Sequence, residues 1–145
     1  MDVRDVMTKN PRTVAPNDSI QRAAAVMKEV DTGFVPIVEN GRVVGVVTDR
    51  DIVIRAVAAG KGPDTPVREV MSSDVKYCYE DEDLDHVAQN MSDIQVRRLP
   101  VVDRNKRLVG IVSLGDLAVR EKKAATQAVS GVSKPGGQHS QSARA

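Results

Sequence analysis

The chain has 145 residues, 21 Lys and Arg against 20 Asp and Glu, 41% hydrophobic and 2% aromatic residues. A formal charge of +1 and three aromatics (Phe34, Tyr77 and Tyr79) lack the basic, stacking surface of a nucleic-acid binder. No apolar run reaches the ~20 residues of a membrane span, the opening MDVRDVMTKNP is charged rather than signal-like, and a single cysteine, Cys78, excludes an internal disulfide. A cytoplasmic chain with an aliphatic core and no metal is expected.

Taken in order, the first element is a short strand around Thr13 and Val14. Pro16-Asn17-Asp18-Ser19 then supplies a capping signal, and Ile20, Ala23, Ala24, Met27 and Val30 fall on one face of the helix that follows. VPIV at 35–38 and VVGVV at 43–47 flank Glu39-Asn40-Gly41-Arg42, a β-hairpin with Asn-Gly in its turn. A helix from Asp49 to Ala59 stops at Gly60, and GKGPDTP at 60–66 marks a boundary. Beyond it come a strand at Tyr77-Cys78-Tyr79 and a helix carrying Leu84, Val87, Ala88, Met91 and Ile94 on one face. The strands LPVV at 99–102 and LVGIV at 108–112 follow, then a helix beginning near Gly115. From about Ala124 the chain is small and polar and holds no acid. It cannot bury enough apolar surface to offset its ordering, so 124–145 is expected to be disordered, and His139 within it has no role. Residues 1–119 hold 16 basic and 19 acidic residues, so the folded part is mildly acidic.

The two series are one unit written twice. VRDVM at 3–7 returns as VREVM at 67–71, a displacement of 64 that also sets Ile20 on Leu84, Ala24 on Ala88, Met27 on Met91 and Pro36 on Pro100. One extra residue in the loop RNKR shifts the displacement to 65, after which RVVGVVTDRDI at 42–52 lies over RLVGIVSLGDL at 107–117. The fold class expected is α/β (α+β): two β-α-β-β-α repeats, 1–60 and 67–123, joined by 61–66. A lone repeat of ~60 residues buries proportionally little surface. Two packed sheet to sheet about a pseudo-two-fold axis would share a core and leave clefts suited to small molecules.

These residues resemble a tandem pair of cystathionine-β-synthase (CBS) domains. The elements that carry the likeness are VMT at 6–8 and VMS at 70–72, the strand openings VPIV and LPVV, and the endings GVVTDRD and GIVSLGD. TDRDIVIRAVAAG is similar to the matching stretch of free-standing bacterial CBS-pair proteins, the actinobacterial hypoxia-response type among them. The resemblance implies a regulatory module that binds an adenosine ligand (AMP, ADP, ATP, NAD or S-adenosylmethionine). It also implies association into a dimer, signalling of energy or redox state through an unidentified effector protein, and no required cofactor. By that likeness Asp51 and Asp116 take the ribose, and Thr48 and Ser113 face the phosphate. The adenine would lie against Thr13, Val14, Val35, Pro36 and Ile37 in one site, and against Tyr77, Leu99, Pro100 and Val101 in the other.

A plainer reading competes. Thr48-x-x-Asp51 and Ser113-x-x-Asp116 both fit the capping box, in which hydroxyl and carboxylate satisfy backbone N–H groups reciprocally. Arg50 lies between Thr48 and Asp51, where it could neutralise phosphate. The second site has Leu114-Gly115 there and could draw charge only from Arg97 and Arg98, so the first site is expected to favour phosphate-rich ligands. Met7, Met27, Met71 and Met91 read as core, His86 as solvated, and Glu80 to Asp83 as a loop and helix start. No nucleophile–base pair, phosphate loop or catalytic metal cluster is present, which argues against an enzyme. A partner-binding scaffold with vestigial nucleotide sites is the alternative. Ile52, Val53, Val57 and Val119 cannot all reach an internal core, and a homodimer through those helices is expected.

Overall fold

The computed structural model describes residues 1–120, and the polar segment from 124 onward lies outside them, as does the side chain of Val119. Its described residues form a mixed α/β protein that divides into two compact units, one of Met1–Pro11 with 76–120 and one of Arg12–Val75. Sequence repeats and spatial units thus do not coincide. The two VRDVM-like segments each begin with a 3₁₀ turn: Val3–Asp5 packs in the core of Cys78, Leu84 and Leu99, and Val67–Glu69 in the core of Val14, Ile20 and Val35.

In the unit of Arg12–Val75, Val14 bridges Ile37 in parallel and leads to α1 (Ile20–Val30). Ser19 caps α1, its hydroxyl accepting from Arg22 N at 3.0 Å. The buried face is Ile20, Ala23, Val26 and Met27, while Val30 is 43% exposed. Val26 therefore replaces Ala24 and Val30 in the expected stripe, because the helix turns its 3–4 spacing toward β2 (Phe34–Glu39). Strands β2 and β3 (Arg42–Thr48) pair antiparallel, Phe34 opposite Thr48 and Pro36 opposite Val46. Asn40 and Gly41 take φ of 54° and 80°, as a tight hairpin of this twist requires.

The helix expected over 49–59 is narrower at its start than beyond it. One α-helical turn, α2 (Asp49–Asp51), widens into a π-helix over Ile52–Val57. Ala58 N there bonds Val53 O at 2.9 Å and Lys61 N bonds Ala56 O at 2.9 Å. Ile52, Val53, Ile54 and Val57 are all β-branched and crowd the spacing of an ordinary turn, which the wider spiral relieves.

The other unit repeats the plan with β4 (Cys78–Tyr79), α3 (Leu84–Ile94), β5 (Arg98–Val102), β6 (Leu108–Ser113) and α4 (Leu114–Arg120). Its sheet gains an edge from the start of the chain. β1 (Thr8–Lys9) pairs with β6, giving the order β1-β6-β5-β4. Ser72 does the same for the first-described unit by bridging Val46. The strand glycines explain this docking. A Cβ on Gly110 would stand 2.6 Å from Met7 Sδ and 2.8 Å from Thr8 O, and one on Gly45 would stand 2.5 Å from Met71 Sδ. Each VM pair therefore lies directly on a strand that no larger residue would let it reach. Two separate cores result, one from Val14, Val35, Ile37, Val47 and α1, the other from Val3, Cys78, Leu99, Val101, Val112 and α3.

Candidate functional site

The structure forms both capping boxes. Thr48 Oγ1 accepts from Asp51 N at 3.1 Å, and Asp51 Oδ2 accepts from Thr48 N at 2.9 Å. Ser113 Oγ accepts from Asp116 N at 3.2 Å, and Asp116 Oδ2 accepts from Ser113 N at 2.9 Å. The reciprocal bonds settle the orientation of each carboxylate, and one oxygen apiece is left outside the box. For Asp51 that oxygen, Oδ1, lies 3.9 Å from Arg55 Nε. The Arg55 guanidinium is itself held by the carbonyls of Val70 (3.4 Å) and Met71 (3.2 Å). Arg55 was not singled out above, although its signal was present. An arginine four residues after the carboxylate recurs in the sequence as Asp116 and Arg120.

Strand alternation sorts the remaining candidates. Val14, Val35 and Ile37 are 0–3% exposed within one helix-covered core, and Leu99 and Val101 lie equally deep in the other. Their side chains pack in those cores, so toward the opposite face, where the adenine slot is expected, these residues present backbone. Thr13, Pro36 and Thr48 alternate to the opposite face, as do Tyr77, Pro100 and Ser113. Phe34, directly opposite Thr48, joins that face and was also overlooked. Arg50 is exposed beside Thr48. Arg98 stands opposite Ser113, and Arg97 O accepts from Leu114 N at 3.1 Å, so both arginines border the second box.

The other residues behave locally. Cys78 is fully buried, and desolvation followed by the nearby Glu82 charge pushes its thiol up to about 12. Glu82 accepts from Tyr79 N at 2.9 Å, Asp83 caps α3, and the His86 side chain is 70% exposed beside Glu82. Among the described residues no three His, Cys, Asp or Glu gather as a metal would need, and no helix is long and apolar enough to cross a membrane.

Two like repeats, each ending in a hydroxyl–carboxylate box at the mouth of a hairpin, define a tandem-repeat α/β module. The chain belongs to the CBS domain family, whose model matches it twice, over residues 3–57 and 67–121. The CBS domain-containing protein YhcV of Bacillus subtilis is 48% identical over 119 residues, covering 82% of this chain and 84% of its own. Hypoxic response protein 1 of Mycobacterium tuberculosis is 37% identical over 117 residues, covering 79% and 81%. Among solved structures, Hypoxic Response Protein I with two coordinated zinc ions superposes with a TM-score of 0.75 at 35% identity, over 83% of this chain and 98% of that one. The CBS domain pair of protein MJ0100, in complex with 5′-methylthioadenosine and S-adenosyl-L-methionine, gives 0.71 at 35% identity, over 82% and 94%. CBSX2 in complex with AMP gives 0.74 at 25% identity, over 84% and 96%.

Proposed function

We propose that this chain is a regulatory module that holds an adenosine-containing small molecule, without converting it, at Thr48–Asp51, at Ser113–Asp116 or at both. The observation that carries the reading is the twice-built box. Each carboxylate is fixed by its own backbone and keeps one oxygen to accept ribose hydroxyls, next to a hydroxyl that can donate to phosphate. Ligand-bearing relatives of the fold, with AMP in one and S-adenosylmethionine and methylthioadenosine in another, support it. Output passes to a partner protein, and a homodimer forms through the π-helical segment, where Val53, Ile54 and Val57 are 52–65% exposed.

One observation favours a scaffold with relic sites instead. The boxes are complete as helix caps and need no ligand to account for them. Thermal unfolding with AMP, ADP, ATP, NAD and S-adenosylmethionine at millimolar concentration decides between the two. A ligand at 100 times its Kd adds ~2.7 kcal/mol, a shift of several degrees. No shift with any of the five leaves the scaffold.

A further inference from the structure

Contacts of the Asp51 carboxylate continue beyond the box. Asp51 Oδ1 lies 3.9 Å from Arg55 Nε, and Arg55 Nη1 donates to the carbonyls of Met71 at 3.2 Å and Val70 at 3.4 Å. A guanidinium is planar and holds its donors in a fixed fork, so seating one edge sets where the other points. Asp51, Arg55 and the carbonyls of Val70 and Met71 thus form one string of contacts, all within the unit of Arg12–Val75. Arg55 belongs to the π-helical turn Ile52–Val57, a backbone form frequent at functional sites.

The far end of the string is a docked segment. Val67–Glu69 is a 3₁₀ turn, and the Val67 carbonyl accepts from Val70 N at 3.0 Å and Met71 N at 2.9 Å. Ser72 then exchanges two bonds with β3, Ser72 N to Val46 O at 2.9 Å and Val46 N to Ser72 O at 3.0 Å. β3 is the strand that ends at Thr48, in the box itself. Beyond Ser72 the chain leaves this unit at Val75, and the other unit takes it up at Lys76.

We propose that Arg55 is the positioning residue of the first repeat's site, and that through it the docked segment 67–72 reads whether Asp51 is occupied. This rests on the reading that Asp51 Oδ1 accepts the ribose hydroxyls of an adenosine ligand. Arg55 orients that oxygen only while its fork is seated on the carbonyls of Val70 and Met71. A ligand that needs the oriented oxygen therefore favours the docked segment, and by linkage the docked segment favours the ligand by the same factor. The Asp51 side chain is 17% exposed and that of Arg55 54%, so water screens the pair and the factor is modest.

The test uses the full chain carrying Asp116→Ala, so that the second repeat does not contribute. AMP, ATP and S-adenosylmethionine are titrated calorimetrically, and amide exchange is followed by NMR with and without the tightest binder. Val46 and Ser72 report the docked segment, while Val26 and Met27, buried in α1, report the unit at large. The expected result is that ligand slows exchange at Val46 and Ser72 about 2- to 5-fold beyond its slowing at Val26 and Met27. Adding Arg55→Ala weakens binding about 2- to 5-fold and, at equal saturation, abolishes the extra slowing, which a merely structural role would not do. Arg55→Lys keeps the charge without the fork, so it restores affinity but not the extra slowing. Extra slowing that persists in Arg55→Ala overturns the proposal and leaves the ribose reading standing. So does binding that depends on Asp51 but slows Val46 and Ser72 no more than α1. If none of the three probes binds, or if Asp51→Ala leaves binding unchanged, the ribose reading falls for the first repeat and the proposal falls with it.

Discussion

Asp51 has two jobs in this account, and one substitution can separate them. Asp51→Ala removes the acceptor that Thr48 N reaches at 2.9 Å, leaving half of the capping box. Losing a cap contact costs about 1 kcal/mol, or ~2–4 °C in a domain of this size. The other oxygen, 3.9 Å from Arg55, is the one proposed to accept ribose hydroxyls. Bonds to a charged acceptor contribute about 1.5–3 kcal/mol, so the same substitution should weaken ligand binding about 10- to 150-fold. With ligand at 100 times the wild-type Kd, a 30-fold loss reduces the stabilisation from ~2.7 to ~0.9 kcal/mol. Circular-dichroism melts with and without ligand read the two effects separately, since the cap loss appears in the apo transition and the ribose loss appears only in the ligand-induced shift. Asp51→Asn keeps a neutral oxygen for Thr48 N, so it should recover most of the apo stability and less of the shift. A lowered apo transition with an unchanged shift would show that Asp51 is a cap and nothing more.

Three further outcomes follow from the same contacts. Gly45→Ala places a methyl 2.5 Å from Met71 Sδ and 3.0 Å from Ser72 O and should destabilise by about 1–3 kcal/mol in chemical denaturation, whereas Gly62→Ala, with open space around it, should cost far less. Cys78 keeps its proton to about 12 when folded but loses it near its ordinary value when unfolded, so the unfolded chain binds fewer protons in between. Stability should therefore fall as pH rises above about 9, and Cys78→Ala should flatten that part of the profile; a slope unchanged by the substitution would refute the assignment. Val57→Glu, at a site 65% exposed, should leave folding intact and yield a monomer by light scattering at micromolar concentration if the π-helical face is the dimer contact.

The repeat, the helices, both hairpins and the two boxes were legible because each rests on local chemistry: spacing of apolar residues, Asn-Gly turns, and hydroxyl–carboxylate caps. The exchange of VRDVM and VREVM segments between units was not, since it depends on Gly45 and Gly110 admitting a methionine, a tertiary contact that no spacing within one segment announces. The π-helix escaped for a related reason, since β-branched residues crowd an ordinary helical turn without excluding it, and the run does not by itself call for the wider spiral. Among the expected site residues, alternation puts Val14, Val35, Ile37, Leu99 and Val101 on the core face beside the very residues that precede and follow them on the other, which spacing within one strand does not announce.

The differences between the repeats are not scattered. At the core and box positions the copies agree in kind, Val14 with Cys78, Ile20 with Leu84, Thr48 with Ser113, Asp51 with Asp116. Around the boxes they diverge, with Thr13, Gly33, Phe34, Asp49 and Arg50 of the first repeat corresponding in sequence to Tyr77, Arg97, Arg98, Leu114 and Gly115 of the second. A Cβ on Gly33 would meet the Asp49 carboxylate at 2.6 Å, and the second repeat has Arg97 and Leu114 at these two positions. Asp49 and Arg50 stand beside the first box, whereas Arg97 and Arg98 border the second, which has Leu114 and Gly115 in their place. On the proposed reading, two sites sharing a ribose anchor but differing in base platform and in charge suit two ligands, or two states of one ligand. Their ratio would then set which sites are filled, and a single ligand in excess would not reproduce the response.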